Sequence, residues 1–136
     1  MDNKTFRIIE GYSQGIKMIG SFIANYKPDT NIPWCLWIKV PVRFENGVIS
    51  KQEAESLDQF EDQLNNHLDV VKKQFVGRLT FNGYREIYYY ISDPDVVNKT
   101  LEAKSGIRDL RKIEYEIKHD PKWSILQSYT KSFSKE

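Results

Sequence analysis

The groups able to do chemistry in this 136-residue chain are few: two histidines, one cysteine and nineteen carboxylates. A zinc site of the H-E-x-x-H type needs two imidazoles one helical turn apart, and neither His67 nor His119 has such a partner. Cys35, the single cysteine, excludes an intramolecular disulfide and a thiolate cluster, and a reducing cytoplasm is the simplest setting for it. No nucleophile elbow, phosphate loop or dinucleotide fingerprint occurs. Glu61 and Asp62 are adjacent carboxylates, but neighbours on a helix point about 100° apart and make no acid–base pair by themselves. The expectation is therefore no catalytic residue, no metal ligand and no cofactor. An enzyme would need a pocket around a group such as His67 or Glu61 with a displaced pKa.

Two constellations carry binding chemistry instead. The first is acidic: Glu53, Glu55, Asp58, Glu61, Asp62 and Asp69 follow one another with no lysine or arginine among them. Asp58, Glu61 and Asp62 are the candidate docking residues of that segment, against the plainer alternative of a solvated helix face. The second is aromatic. Strand alternation puts Trp37, Lys39, Arg78, Thr80, Glu86, Tyr88 and Tyr90 on one sheet face, a surface able to stack on or bury something.

Four occupants compete for the aromatic face. It can be a second core under the N-terminal hairpin or a C-terminal helix, a homodimer contact, a site for a protein or peptide, or a platform for single-stranded RNA. Nucleic acid is the weakest of these. The stretch 82–89 lacks the initial base of an RNP1 motif and puts Glu86 where an aromatic belongs, and a net charge of +1 gives phosphate little to pair with.

The elements that must position these residues follow from periodicity and turn chemistry. Residues 6–11 and 16–26 form an N-terminal hairpin whose second strand, apolar on both faces, is expected to be covered on both sides. Residues 34–44 alternate as a strand with Trp34, Leu36, Ile38, Val40, Val42 and Phe44 toward the core. Ser50 with Glu53 is a capping-box signature opening a helix that carries Leu57, Phe60, Leu64, Leu68 and Val71.

Asn82-Gly83 joins strands 74–81 and 84–91, with Phe75, Leu79, Phe81, Ile87, Tyr89 and Ile91 expected toward the helices. Asp93-Pro94 opens a short helix stopped by Gly106, residues 110–118 form a charged edge strand, and Asp120-Pro121 opens a last helix. The order is an α+β, ferredoxin-like βαββαβ unit. It predicts one domain, 1–136, divided into a hairpin and loop (1–32), the core (33–118) and a C-terminal helix (119–136). No stretch has the length and apolarity of a membrane span or a signal peptide, so no membrane partner is expected.

Pro33-Trp34, Glu53 to Leu57, Glu61-Asp62, Val76-Gly77-Arg78-Leu79-Thr80, Gly83 with Arg85-Glu86, Tyr88-Tyr89-Tyr90, Tyr115 and Asp120-Pro121-Lys122-Trp123 together resemble the bacterial domain-of-unknown-function family 695. The likeness runs from about residue 33 to 130. It lacks a tryptophan near the start and the proline that often ends the family pattern. That family implies no activity. At the level of fold alone, the layout with its acidic first helix also looks like the ribonuclease E regulator B family, small proteins that inhibit a nuclease by binding it. The functional expectation is a cytoplasmic, non-catalytic protein-binding regulator, including an inhibitor or immunity protein against a nuclease or toxin. The rival is a small-molecule or single-stranded RNA-binding module built on the aromatic face.

Overall fold

The structure, a computed structural model, describes residues 6–13, 15–45, 47–81, 83–103 and 111–133. Six strands form one sheet: β1 (Phe6–Ser13), β2 (Ile16–Ile23), β3 (Trp34–Pro41), β6 (Lys73–Phe81), β7 (Tyr84–Ile91) and β8 (Glu114–His119). Their order is β1-β2-β6-β7-β3-β8, and every neighbouring pair is antiparallel. Two short strands, β4 (Phe44–Glu45) and β5 (Val48–Ile49), pair apart from it. The helices are α1 (Lys51–His67), α2 (Pro94–Glu102) and α3 (Ser124–Phe133). The chain is thus mixed α+β, and its N-terminal hairpin extends the sheet by pairing β2 with β6.

Local chemistry sets most boundaries. Ser50 Oγ accepts the Glu53 N–H at 3.1 Å, and Asp93 Oδ1 accepts the N–H groups of Asp95 and Val96, so both helices start at their side-chain caps. Gly83 holds φ at +82°, as the turn between β6 and β7 requires. Two expected elements are shorter than their periodicity. The strand from Trp34 ends at Pro41, which has no N–H for the ladder, and Phe44 lies instead in β4. α1 ends at His67 and passes into a 3₁₀ turn, Leu68–Val70. The Gly106 stop and the start of the strand at Leu110 lie outside the described residues.

The layers are two helices, the sheet, and one helix. α1 and α2 bury Leu57, Phe60, Leu64, Val97 and Leu101 against Leu36, Ile38, Val40, Ile87, Tyr89 and Ile91. On the opposite face α3 brings Leu126, with Trp123 just before it, against Cys35, Val76, Tyr88, Tyr90 and Phe22. The aromatic face is therefore largely a second core, closed by the C-terminal helix.

The register of β6 corrects the expected facing of its side chains. Phe75 pairs with Tyr89 but Gly77 pairs with Tyr88, so one extra residue bulges between them. Beyond the bulge the alternation inverts. Leu79 joins the α3-side core and Phe81 packs against it, whereas Arg78 and Thr80, expected beside Trp37, pair with Ile87 and Arg85 and turn toward α1. Gly77 is where the bulge meets β2: a Cβ there would lie 2.2 Å from Cδ1 of Phe22.

Candidate functional site

The acidic helix divides into carboxylates that are spent inside the protein and carboxylates that are not. Glu61 faces the sheet, where its Oε1 accepts from Arg78 Nη2 at 2.6 Å and its Oε2 from Arg85 Nη1 at 2.8 Å. Arg85 Nε donates in turn to Thr80 Oγ1 at 2.9 Å. Glu61 is thus a half-buried clamp between α1 and the β6–β7 hairpin, engaged inside the protein where the sequence places it among docking acids. Glu53 is engaged too: it accepts from Arg111 Nη2 at 2.7 Å and from the Arg43 N–H at 2.8 Å. The Arg111 hydrogen bond dominates, and with that of Arg43 it outweighs desolvation, holding the Glu53 carboxyl below its ordinary pKa. Asp69 pairs with Lys73. Glu55, Asp58 and Asp62 stay exposed, and no ion pair with a described residue engages them.

The residues of the aromatic constellation part company in the same way. Trp37 pairs across the sheet with Tyr88 on β7 and with Glu116 on β8, and Lys39 pairs with Glu86 and Glu114. Tyr88 and Tyr90 are 4% and 0% exposed, so neither offers a ring face to an incoming base. Tyr90 lies under Trp123, centroids 4.2 Å apart and planes within 8°. Its hydroxyl donates to Asp120 Oδ2 at 2.7 Å.

Asp120 also accepts the N–H groups of Ser124 and Ile125, which caps α3. Desolvation pushes its carboxyl upward, but the hydrogen bonds from Ile125, Tyr90 and Ser124 outweigh that push and leave the pKa lowered. To lie flat on Tyr90, Trp123 takes φ of +57°, a strained value for a bulky residue. Cys35 is buried in this core, and burial pushes its thiol up to about 12, the range of an unreactive cysteine.

The two histidines are occupied. His67 Nδ1 lies 2.8 Å from the Gln63 carbonyl, and His119 packs against Trp34. Among the described residues no cluster of three His, Cys, Asp or Glu has the geometry to hold a metal ion.

The end of the aromatic face that α3 leaves open forms a cleft of about 230 Å³. Its lining is Cys35, Trp37, Glu86, Tyr88, Glu116, Lys118, Ile125 and Tyr129. Burial holds the Tyr88 hydroxyl protonated, with Tyr129 and Glu86 reinforcing it. Its single proton goes to Glu86 Oε1 at 2.9 Å. The 2.6 Å contact between the two tyrosine oxygens is therefore donated by Tyr129.

A third surface escaped the reading of the residues. On the face that α1 covers elsewhere, the hairpin leaves Ile8 73%, Tyr12 72% and Ile19 46% exposed, with Phe6 beside Phe75 at one end. The face of β2 expected to be covered along its length is buried at Ile23, 1% exposed, and open at Ile19. Asp58 and Asp62, one turn apart on α1, are exposed. The signal was present in the alternation of Phe6, Ile8 and Tyr12 on β1. What the sequence could not display was which strand lies at the edge of the sheet.

Residues 24–129 match the model of a Family of unknown function (DUF695). No curated protein and no solved structure matches the chain.

Proposed function

The chain belongs to the Family of unknown function (DUF695), a membership that prescribes no activity, and we propose that it is a non-catalytic regulator that docks a protein partner on its hairpin. The observation that carries this reading is the exposed row Ile8, Tyr12 and Ile19 on a strand pair whose outer edge, β1, is eight residues long and has no neighbour among the described residues. Such an edge invites strand pairing unless charge or a cover protects it. The opposite edge strand, β8, has that protection in Glu114, Glu116 and Lys118, whereas the charges of β1 are Arg7 and Glu10, the latter paired with Lys17 at 3.2 Å, beside its exposed Ile8 and Tyr12. An exposed apolar row, together with the exposed carboxylates Asp58 and Asp62 on α1, fits a partner that offers both an apolar patch and lysine or arginine.

An inhibitor or immunity protein that masks the basic groove of a nuclease or toxin is the specific form of this reading. We read the underlying fold as a ferredoxin-like unit with the hairpin added. The order β8-β3-β7-β6, antiparallel throughout, supports that, and the ribonuclease E regulator B family lends a fold-level analogy only.

The test is capture from a lysate of the native host by the wild-type chain, by Ile8→Glu/Ile19→Glu and by Asp58→Lys/Asp62→Lys. One protein held near stoichiometry by the wild type should be lost with the first variant. With the second it should bind about tenfold more weakly at low salt, with a flatter salt dependence. Equal retention by all three chains removes the reading. A homodimer through this face is the outcome if the wild type captures nothing and the isoleucine variant alone sediments as a monomer.

A further inference from the structure

On the opposite side of the sheet from the hairpin surface, the cleft between β3, β7, β8 and α3 has its own chemistry. Cys35 and Tyr88 form a buried floor, Trp37, Ile125 and Tyr129 form half-buried walls, and Glu86, Glu116 and Lys118 line the rim. The hydrogen bonds among these residues decide what the walls offer a ligand. Tyr129 spends its proton on Tyr88 and Tyr88 spends its own on Glu86, so both hydroxyls present only lone pairs. Glu86 Oε2 receives no hydrogen bond from a described residue. Glu116 lies exposed with Lys118 Nζ at 3.9 Å, the long end of an ion pair. Lys39, the other nearby cation, is held 3.9 Å above the Tyr84 ring, at the end of β7 away from Tyr88.

The cleft is therefore rich in acceptors and poor in donors, it is lined by an indole and two phenols, and its two carboxylates outnumber its one ammonium. π faces and carboxylates together attract a cation that carries N–H donors. Its volume of about 230 Å³ exceeds the roughly 150 Å³ of an apolar cavity that takes up benzene, which leaves room for a ring and a short tail. We propose that this cleft binds a small primary arylalkylammonium ion, its ring against Trp37 and Ile125 and its ammonium between Glu86 and Glu116.

The experiment titrates the full chain with phenethylammonium chloride, with the neutral isostere 2-phenylethanol and with phenylacetate, following the indole N–H resonance assigned to Trp37 by a Trp37→Phe control. The amine should saturate the Trp37 shift at least about tenfold more tightly than the alcohol, a difference of about 1.4 kcal/mol, and phenylacetate should give none. Glu116→Gln, at an exposed position that leaves the core untouched, should weaken the amine several-fold and leave the alcohol as it was. Glu86→Gln, which keeps an acceptor for Tyr88, should do the same. Equal binding of amine and alcohol, a preference for phenylacetate, or no Trp37 response to the amine at about 10 mM overturns the assignment.

Discussion

Glu61 and Asp120 show what single carboxylates do here, and each permits a measurement. Glu61 joins α1 to two arginines on different strands, so Glu61→Ala leaves the shielded Arg85 guanidinium without its counter-charge. That should cost about 2 to 3 kcal/mol, read as a lower urea midpoint at unchanged slope. It follows that lost partner binding in a Glu61 variant says little about docking, whereas Asp58 and Asp62 report on it directly. Asp120 accepts from Tyr90, Ser124 and Ile125, and its carboxyl titrates below the unfolded value near 3.9. The folded state therefore binds fewer protons than the unfolded one. The stabilisation is complete above about pH 4 and disappears as pH falls through the lowered value. Asp120→Asn should cost about 1 to 3 kcal/mol at pH 7 and progressively less as the pH falls through the acid range, measured by thermal unfolding across it.

At the scale of elements, the parts written in local chemistry were legible and the parts imposed from across the sheet were not. Ser50 with Glu53, Asp93 with Pro94 and Asn82 with Gly83 each act within a few residues, and the corresponding caps and turn stand where their spacing puts them. The bulge in β6 does not work that way. Lys73–Phe81 reads as unbroken alternation, and the reason for the extra residue lies on β2, where Phe22 sits over Gly77. Arg78 and Thr80 therefore lie on the face opposite to the one simple alternation predicts, while Trp37, Lys39, Glu86, Tyr88 and Tyr90, on strands without a bulge, keep the alternation. Gly77→Ala tests this directly. A methyl group 2.2 Å from the Phe22 ring must displace it, so the variant should lose about 1 to 3 kcal/mol and weaken the β2–β6 pairing. Faster amide exchange in β2 than in β7 is the expected signature, and unchanged stability would show that the ring moves aside freely.

The whole molecule is asymmetric in what it hides. One sheet face is closed by α1 and α2 and the other by Trp123 and α3, except for the cleft at Trp37 and the exposed hairpin surface. The segments by which the chain resembles its family include the interior of this arrangement: Glu61, Arg78, Thr80 and Arg85 make one network, and Tyr90, Asp120 and Trp123 make another. They account for the scaffold. The proposed docking residues, above all Ile8, Tyr12, Ile19, Asp58 and Asp62, lie outside those networks. The measurement that tests this most directly is hydrogen–deuterium exchange of the chain alone and with its captured partner. If the hairpin is the docking surface, amides of β1, which among the described residues has no strand on its outer side, should slow by about tenfold or more in the complex, while those of β8 keep their rates. Protection confined to β8 and the rim of the cleft, with β1 unchanged, would contradict the account.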